Sequence, residues 1–205
     1  MLEFLRSPIR ALFNPLVSAL VRLKISANTV TVIGSLCTII ACFVTAVTGE
    51  LFVGTLVITL FVLCDSLDGA VAAKYGGGTT FGAFLDSTLD RIADWAMLSS
   101  VMIYYFMHTS LHNILTIIGL VATGISIMAS FVISYARARA QSLNSEAAHC
   151  GIAQRADRIL ITLVGTGFTG LFHAEIILTI AMVLLAILGL ITVFQRIIAV
   201  KNDMQ

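Results

Sequence analysis

Six apolar stretches, each close to the length of a bilayer crossing, follow one another along almost the whole of this 205-residue chain. They cover residues 29–48, 51–73, 84–107, 113–136, 159–172 and 174–200, and roughly 20 apolar residues carry a helix across the hydrocarbon core. The fifth is the shortest, and its helix gains length if it starts at Arg155. Charged residues are 11% of the chain, against about 25% in soluble domains, which argues for a membrane protein. The expected fold is all-α and polytopic: a single domain over 1–205, with six transmembrane helices bundled over 29–200.

The preceding segment has a different pattern. Leu2, Leu5, Ile9, Leu12, Leu16, Leu20 and Leu23 recur at spacings of three and four, while Arg6, Arg10, Asn14 and Ser18 follow another face. That pattern predicts an amphipathic helix over 2–24, lying in the membrane interface. A secretory signal is a poor match, because Arg10 and Pro15 interrupt the apolar run and no small-residue cleavage site follows.

The basic residues set the orientation. With six spans and a cytoplasmic N-terminus, Arg6, Arg10, Arg22, Lys24, Lys74, Arg91, Arg137, Arg139, Arg155, Arg158, Arg196 and Lys201 all fall on or near the cytoplasmic side. The three opposite loops, near Gly49, His108 to His112 and His173, contain no Lys or Arg. This segregation follows the positive-inside rule and predicts a multi-pass protein of the cell (inner) membrane with both termini in the cytoplasm.

Ionisable residues inside membrane helices usually face a cavity and serve a function. Asp65 and Asp68 sit late in the second stretch, and Asp86, Asp90 and Asp94 early in the third. Spacings of three and four put side chains on one helix face, and the short connection over 75–81 makes the two helices antiparallel neighbours. Asp65, Asp68, Asp86 and Asp90 are therefore expected to converge near the cytosolic end. So many carboxylates repel one another; protons would relieve that, and hard divalent cations with a preference for oxygen would relieve it better. Arg91 offsets one charge and not four. Gly69 lies beside the acids inside a helix, where glycine costs stability relative to alanine, so a close approach of ligand or helix is its expected reason. Gly76, Gly77 and Gly78 read as a tight turn. Cys37, Cys42, Cys64 and Cys150 form no C-x-x-C pair and read as small buried hydrophobes. His108, His112, His149 and His173 show no zinc pattern and read as surface or loop residues.

The acids and glycines resemble the signature of the CDP-alcohol phosphatidyltransferase family, D-x2-D-G-x2-A-R-x8-G-x3-D-x3-D. Asp65, Asp68, Gly69, Ala72, Gly82, Asp86 and Asp90 are all in register; Ala73 stands where the family has Arg, and Lys74 follows it. Segments 25–31 (I-S-A-N-T-V-T), 76–90 and 134–139 (S-Y-A-R-A-R), with Gln195 and Arg196, resemble the bacterial phosphatidylinositol-phosphate synthases within that family. The resemblance implies metal ligation by Asp65, Asp68 and Asp86, with Asp90 at the edge of the site and serving as the base. It implies Mg2+ or Mn2+, two ions, holding the pyrophosphate of CDP-diacylglycerol. Gly69, Ala72 and Gly82, with Asn28, Thr31 and Lys74, would bind the nucleotide lipid. The active site would face the cytosol, and the protein would form a homodimer.

A second polar cluster bears on the acceptor. Arg137 and Arg139 end the fourth stretch, Arg155 and Arg158 open the fifth, and Arg196 closes the sixth. Arginine recognises phosphate by paired hydrogen bonds as well as charge, whereas ordinary membrane anchoring, or a pair between Arg158 and Asp157 or Glu146, are the plainer readings. The resemblance implies that Ser134, Arg137, Arg155 and Arg196, with Arg139 and Arg158, bind the phosphate of inositol phosphate, so that phosphatidyl transfer yields phosphatidylinositol phosphate and CMP. Glycerol phosphate, the acceptor of a phosphatidylglycerophosphate synthase, also fits a basic pocket. A proton- or ion-coupled transporter is the reading of another class, disfavoured because the acids cluster at one end and no internal repeat is visible. Membrane lipids are the expected surroundings, and no nucleic-acid partner is expected. Gly119, Ala122, Gly124, Gly165 and Gly167 are expected to let helices pack closely.

Overall fold

The computed structural model describes residues 17–18, 21–65, 69, 71–72, 77–145 and 150–204. Among the described residues the elements are all helical: α1 Ala27–Thr48, α2 Leu51–Asp65, α3 Thr80–His108, α4 Ile114–Ser142, α5 Arg155–Phe172 and α6 Glu175–Asp203. Each falls on one of the six expected stretches. The differences lie at the ends, where polar residues that carry no hydropathy still favour a helix. Asn113 caps α4 by accepting the Leu115 N–H at 3.0 Å, and α4 runs past its apolar part through Arg137, Arg139 and Gln141, all good helix formers. α5 begins at Arg155, where Asp157 accepts the N–H of Gln154 at 3.0 Å.

Three of these helices, α1, α4 and α6, are long and apolar enough to cross a membrane, and the chain is a membrane protein. The other three differ from the expectation of six such spans for visible reasons. α2 is apolar but has 15 described residues. α3 carries Asp86, Asp90, Arg91 and Asp94 in its first half, and α5, 18 residues long, starts with Arg155, Asp157 and Arg158.

Burial in these helices is inverted relative to a soluble protein. α1 buries Thr31, Ser35, Thr38, Cys42 and Thr45 and exposes Ile33, Leu36, Ile40, Val44 and Val47. α6 is mixed: it buries Thr179, Gly189 and Thr192 beside Leu178, Met182 and Leu185, and exposes Ile180, Leu184, Ile187 and Ile191. Membrane helices pack through small residues and leave large apolar ones to lipid. Some of the buried hydroxyls bond back to their own helices, Thr38 to the Gly34 carbonyl at 2.9 Å and Thr45 to that of Ala41 at 2.7 Å, which satisfies them without water.

The described chain falls into two compact units, residues 1–40 with 58–93, and residues 41–57 with 94–205. In the first, Val17 and Val71 are buried together, with Val21, Ala27 and Val30 packed against them. Most of the interfacial helix expected over 2–24 lies outside the described residues. At its end the apolar stripe breaks: Leu23 is exposed while Val17 is buried, and the chain turns at Lys24 with φ +56°.

In the second unit α4 and α5 both pack on α6, around a core of Leu98, Val101, Tyr105, Leu178, Met182 and Leu185. Glycines set the approach of the helices. A Cβ on Gly119 would strike the Tyr105 ring, one on Gly165 would lie 2.6 Å from the Ala181 Cβ, and one on Gly167 would lie 3.3 Å from Thr55. Gly124, expected to act alike, has no neighbour within 4 Å. Gly170, not singled out from the sequence, would drive a Cβ into the backbone nitrogen of Phe52. Of the cysteines, Cys42 is buried as expected, whereas Cys37, Cys64 and Cys150 are only half-buried. His108, His112 and His173 are exposed as expected; His149 lies outside the described residues. His108 also bonds the Ala46 carbonyl at 3.0 Å through Nε2 and stacks on Tyr104.

Gly170→Ala is expected to destabilise the protein by about 1–3 kcal/mol, the usual cost of overpacking, because backbone cannot move aside as a side chain can. Gly124→Ala, in an open stretch of helix, is expected to be neutral or to stabilise by up to about 1 kcal/mol. Thermal melting of the two purified variants in one detergent reads the difference.

Candidate active site

Two helix beginnings form the frame of the site in the first unit. Ser26 caps α1, its Oγ accepting the Thr29 N–H at 3.2 Å. Thr79 caps α3 in the same way, its Oγ1 accepting the Gly82 N–H at 2.9 Å. Each cap satisfies an orphan donor of a first turn. A cavity of about 900 Å³ opens on both beginnings, lined by Ser26, Ala27, Asn28 and Thr31 from the first and by Thr79, Thr80, Gly82, Ala83 and Asp86 from the second. Lys24, Gly69, Ala72, Gly77 and Gly78 also line it. Helix N-termini carry partial positive charge and attract phosphates, and Lys24 adds a full one.

The two glycines of the signature do different work. A Cβ on Gly82 would lie 2.8 Å from the Asn28 Oδ1, so its absence lets the beginnings of α1 and α3 approach. At Gly69 a Cβ would meet nothing within 4 Å among the described residues. Gly77 sits at φ +123°, a region L residues rarely adopt, and its N–H donates to the Ala72 carbonyl at 3.0 Å.

The acids are held individually. Asp65 ends α2 against α1: Ser35 donates to its Oδ1 at 3.4 Å, and a Cβ on Gly34 would lie 2.7 Å from the same oxygen. Asp86 lines the cavity. Asp90 has Arg91 Nη2 at 3.9 Å. Asp68 lies outside the described residues, as do Ala73, Lys74 and Gly76. Among the described residues no three Asp, Glu, His or Cys side chains group as a metal site. Asp65, beside the Ser35 hydroxyl, and Asp86, in the cavity wall, each offer carboxylate oxygens. They fit a hard divalent cation and do not fit a soft metal that wants nitrogen or sulfur.

The basic residues belong to the second unit. Arg158 is 6% exposed and does not pair with Asp157; Glu146 lies outside the described residues. The partner of Arg158 is Asp94, Nη2 to Oδ2 at 3.2 Å, and it also donates to the Ala153 carbonyl at 3.3 Å. Arg155 shares Asp94, Nε to Oδ1 at 3.1 Å. Arg196, 5% exposed, donates to the carbonyls of Ile133 and Cys150, which ties the end of α6 to α4 and to the segment before α5. Ser134 bonds back to the Ser130 carbonyl at 2.8 Å. Arg137 and Arg139 are exposed, and Arg139 reaches Ser142 at 3.4 Å. Buried arginines thus brace the cluster, and exposed ones present charge.

Several of these residues escape a sequence reading based on spacing within each apolar run. Ser26 and Thr79 are recognisable as helix caps ahead of periodic segments. Lys24, Gly34 and Ser35 had no such signal, because their partners lie far along the chain.

Comparisons with known proteins agree with this geometry. The CDP-alcohol phosphatidyltransferase family matches the chain over residues 24–198. The phosphatidylinositol phosphate synthase of Mycobacteroides abscessus is 40% identical over 193 residues, 93% of this chain and 84% of that one. Its counterpart in Streptomyces avermitilis is 36% identical over 207 residues, 98% of this chain and 82% of that one. Among solved structures, phosphatidylinositol phosphate synthase of Mycobacterium tuberculosis with CDP-DAG bound superposes with a TM-score of 0.85 at 34% identity, covering 92% of this chain and 93% of that one. The same protein in complex with manganese and citrate also gives 0.85 at 34% identity, covering 92% and 88%. This chain belongs to the CDP-alcohol phosphatidyltransferase family and is an enzyme of that class.

Proposed function

We propose that this enzyme transfers the phosphatidyl group of CDP-diacylglycerol to inositol phosphate, giving phosphatidylinositol phosphate and CMP. One observation carries the reading: Asn28, Thr31, Gly69, Ala72 and Gly82, the positions that family resemblance assigns to the nucleotide lipid, line one cavity together with Asp86. The names of the relatives support the acceptor, and the CDP-DAG bound to the Mycobacterium tuberculosis protein supports the donor.

In this reading Asp65, Asp68, Asp86 and Asp90 hold the divalent metal, two Mg2+ ions in the cell, with Mn2+ able to replace them. When bound, the metal neutralises the pyrophosphate and polarises its oxygens. The chain's own groups bind and orient. The N-termini of α1 and α3 and Lys24 attract the phosphates, Gly69 leaves room for the nucleotide, and Lys74 adds a cation where Ala73 departs from the family. Asp90 takes the proton from the acceptor hydroxyl. That oxygen forms its bond to the lipid-side phosphorus as the bond to CMP breaks, a reaction that depends mainly on positioning and charge stabilisation. Ser134, Arg137, Arg139 and Arg155 meet the acceptor phosphate, with Arg158 and Arg196 in support. The whole chain acts as one domain of six spans in the inner membrane, with both termini and the active site cytoplasmic, as a homodimer.

CMP release by purified protein in CDP-diacylglycerol micelles with Mg2+ tests the activity. Release is expected with inositol phosphate and not with free inositol. Release with glycerol phosphate alone would keep the family and replace the acceptor. Asp65→Asn and Asp86→Asn are each expected to lower kcat/KM on the order of 100-fold or more, the scale of losing a charge-stabilising group. Chelation of divalent metal is expected to abolish turnover and its return to restore it.

A further inference from the structure

Asp94 is an acid of α3 that family resemblance assigns to neither metal nor nucleotide. It is 6% exposed, and its two oxygens go to two arginines, Oδ1 to Arg155 Nε at 3.1 Å and Oδ2 to Arg158 Nη2 at 3.2 Å. The two arginines are not equivalent. The Arg158 side chain is 7% exposed and braced on the Ala153 carbonyl, whereas that of Arg155 is 34% exposed. Of the two arginines, the exposed one is where a solute anion can meet a guanidinium.

We propose that Asp94 is a positioning residue for the acceptor phosphate: it locks Arg158 into the fold as an anchor and orients the Arg155 guanidinium toward a phosphomonoester. The inference rests on the reading of Arg155 as an acceptor-phosphate ligand. An arginine fork recognises phosphate through a fixed plane, and a side chain held at Nε in advance loses less freedom on binding. Asp94 thereby acts on acceptor affinity without touching the acceptor, and Arg158 is set apart from the ligands proper.

The test is steady-state CMP release by the purified full chain, varying inositol phosphate and CDP-diacylglycerol separately, with thermal melting of each variant. Asp94→Asn is expected to raise KM for inositol phosphate by about tenfold, the scale of coupling between contacting residues, while KM for CDP-diacylglycerol stays within about twofold. Asp94→Glu, which keeps the charge, is expected to recover part of the loss. In an Arg155→Gln background, Asp94→Asn is expected to add less than about twofold, because its route to the acceptor is gone. Equal rises in both KM values, or multiplicative effects in the double variant, would overturn the proposal. If Asp94→Asn does not fold, Asp94→Glu alone carries the comparison: a rise in acceptor KM that vanishes in the Arg155→Gln background supports the proposal, and a rise that persists there contradicts it. Arg155→Gln without effect on acceptor KM would remove the underlying reading; an effect of Arg155→Gln with none from either Asp94 variant would remove the positioning role alone.

Discussion

Withdrawing an ion from water into an apolar surround costs several kcal/mol unless a partner of opposite charge and good geometry meets it, and among the described residues the pair of Asp94 with Arg158 faces that cost. Both side chains are 7% exposed. Removal of either partner would leave a buried charge, which makes the pair a fixed point for the second unit. Around it the start of α5 is set through Arg155 and the Ala153 carbonyl. Arg196 performs a related task without a carboxylate, donating to two main-chain carbonyls. The basic end of this unit is therefore rigid where it is buried and charged where it is exposed.

The first unit manages polarity in another way. Among the described residues its cavity wall is made of small residues, hydroxyls and two helix beginnings, with Asp86 and Lys24 as the charged groups. Partial charges at helix termini attract an anion without burying a full charge. Gly69 and Gly82 differ in their surroundings: a Cβ on Gly82 would press on Asn28, and one on Gly69 would stand in open space among the described residues.

Much of this was readable in the linear chain because helices impose simple periods. Apolar runs located all six helices, and family resemblance singled out Gly69, Ala72 and Gly82, which line the cavity with Asp86. What escaped depends on distance along the chain. Asp157 was a nearby candidate partner for Arg158, yet Asp94, 64 residues away, bonds it; Glu146, the other candidate, lies outside the described residues. Gly34 and Ser35 matter through Asp65, 30 residues beyond Ser35. Leu23 follows the apolar period of its segment but is exposed, because a helical period says nothing once the chain turns at Lys24. Hydropathy also understated α4, whose last turns are amphiphilic and helical.

The central claim is that the cavity beside Gly69 receives the nucleotide lipid through divalent metal. Calorimetric titration of CDP-diacylglycerol into the purified protein, with Mg2+ and after chelation, next to a Gly69→Leu variant with unchanged melting behaviour, tests it most directly. Saturable binding that weakens at least about tenfold on chelation, and is lost when leucine fills the space, is the expected result. Undiminished binding to Gly69→Leu, or affinity indifferent to metal, would contradict the account.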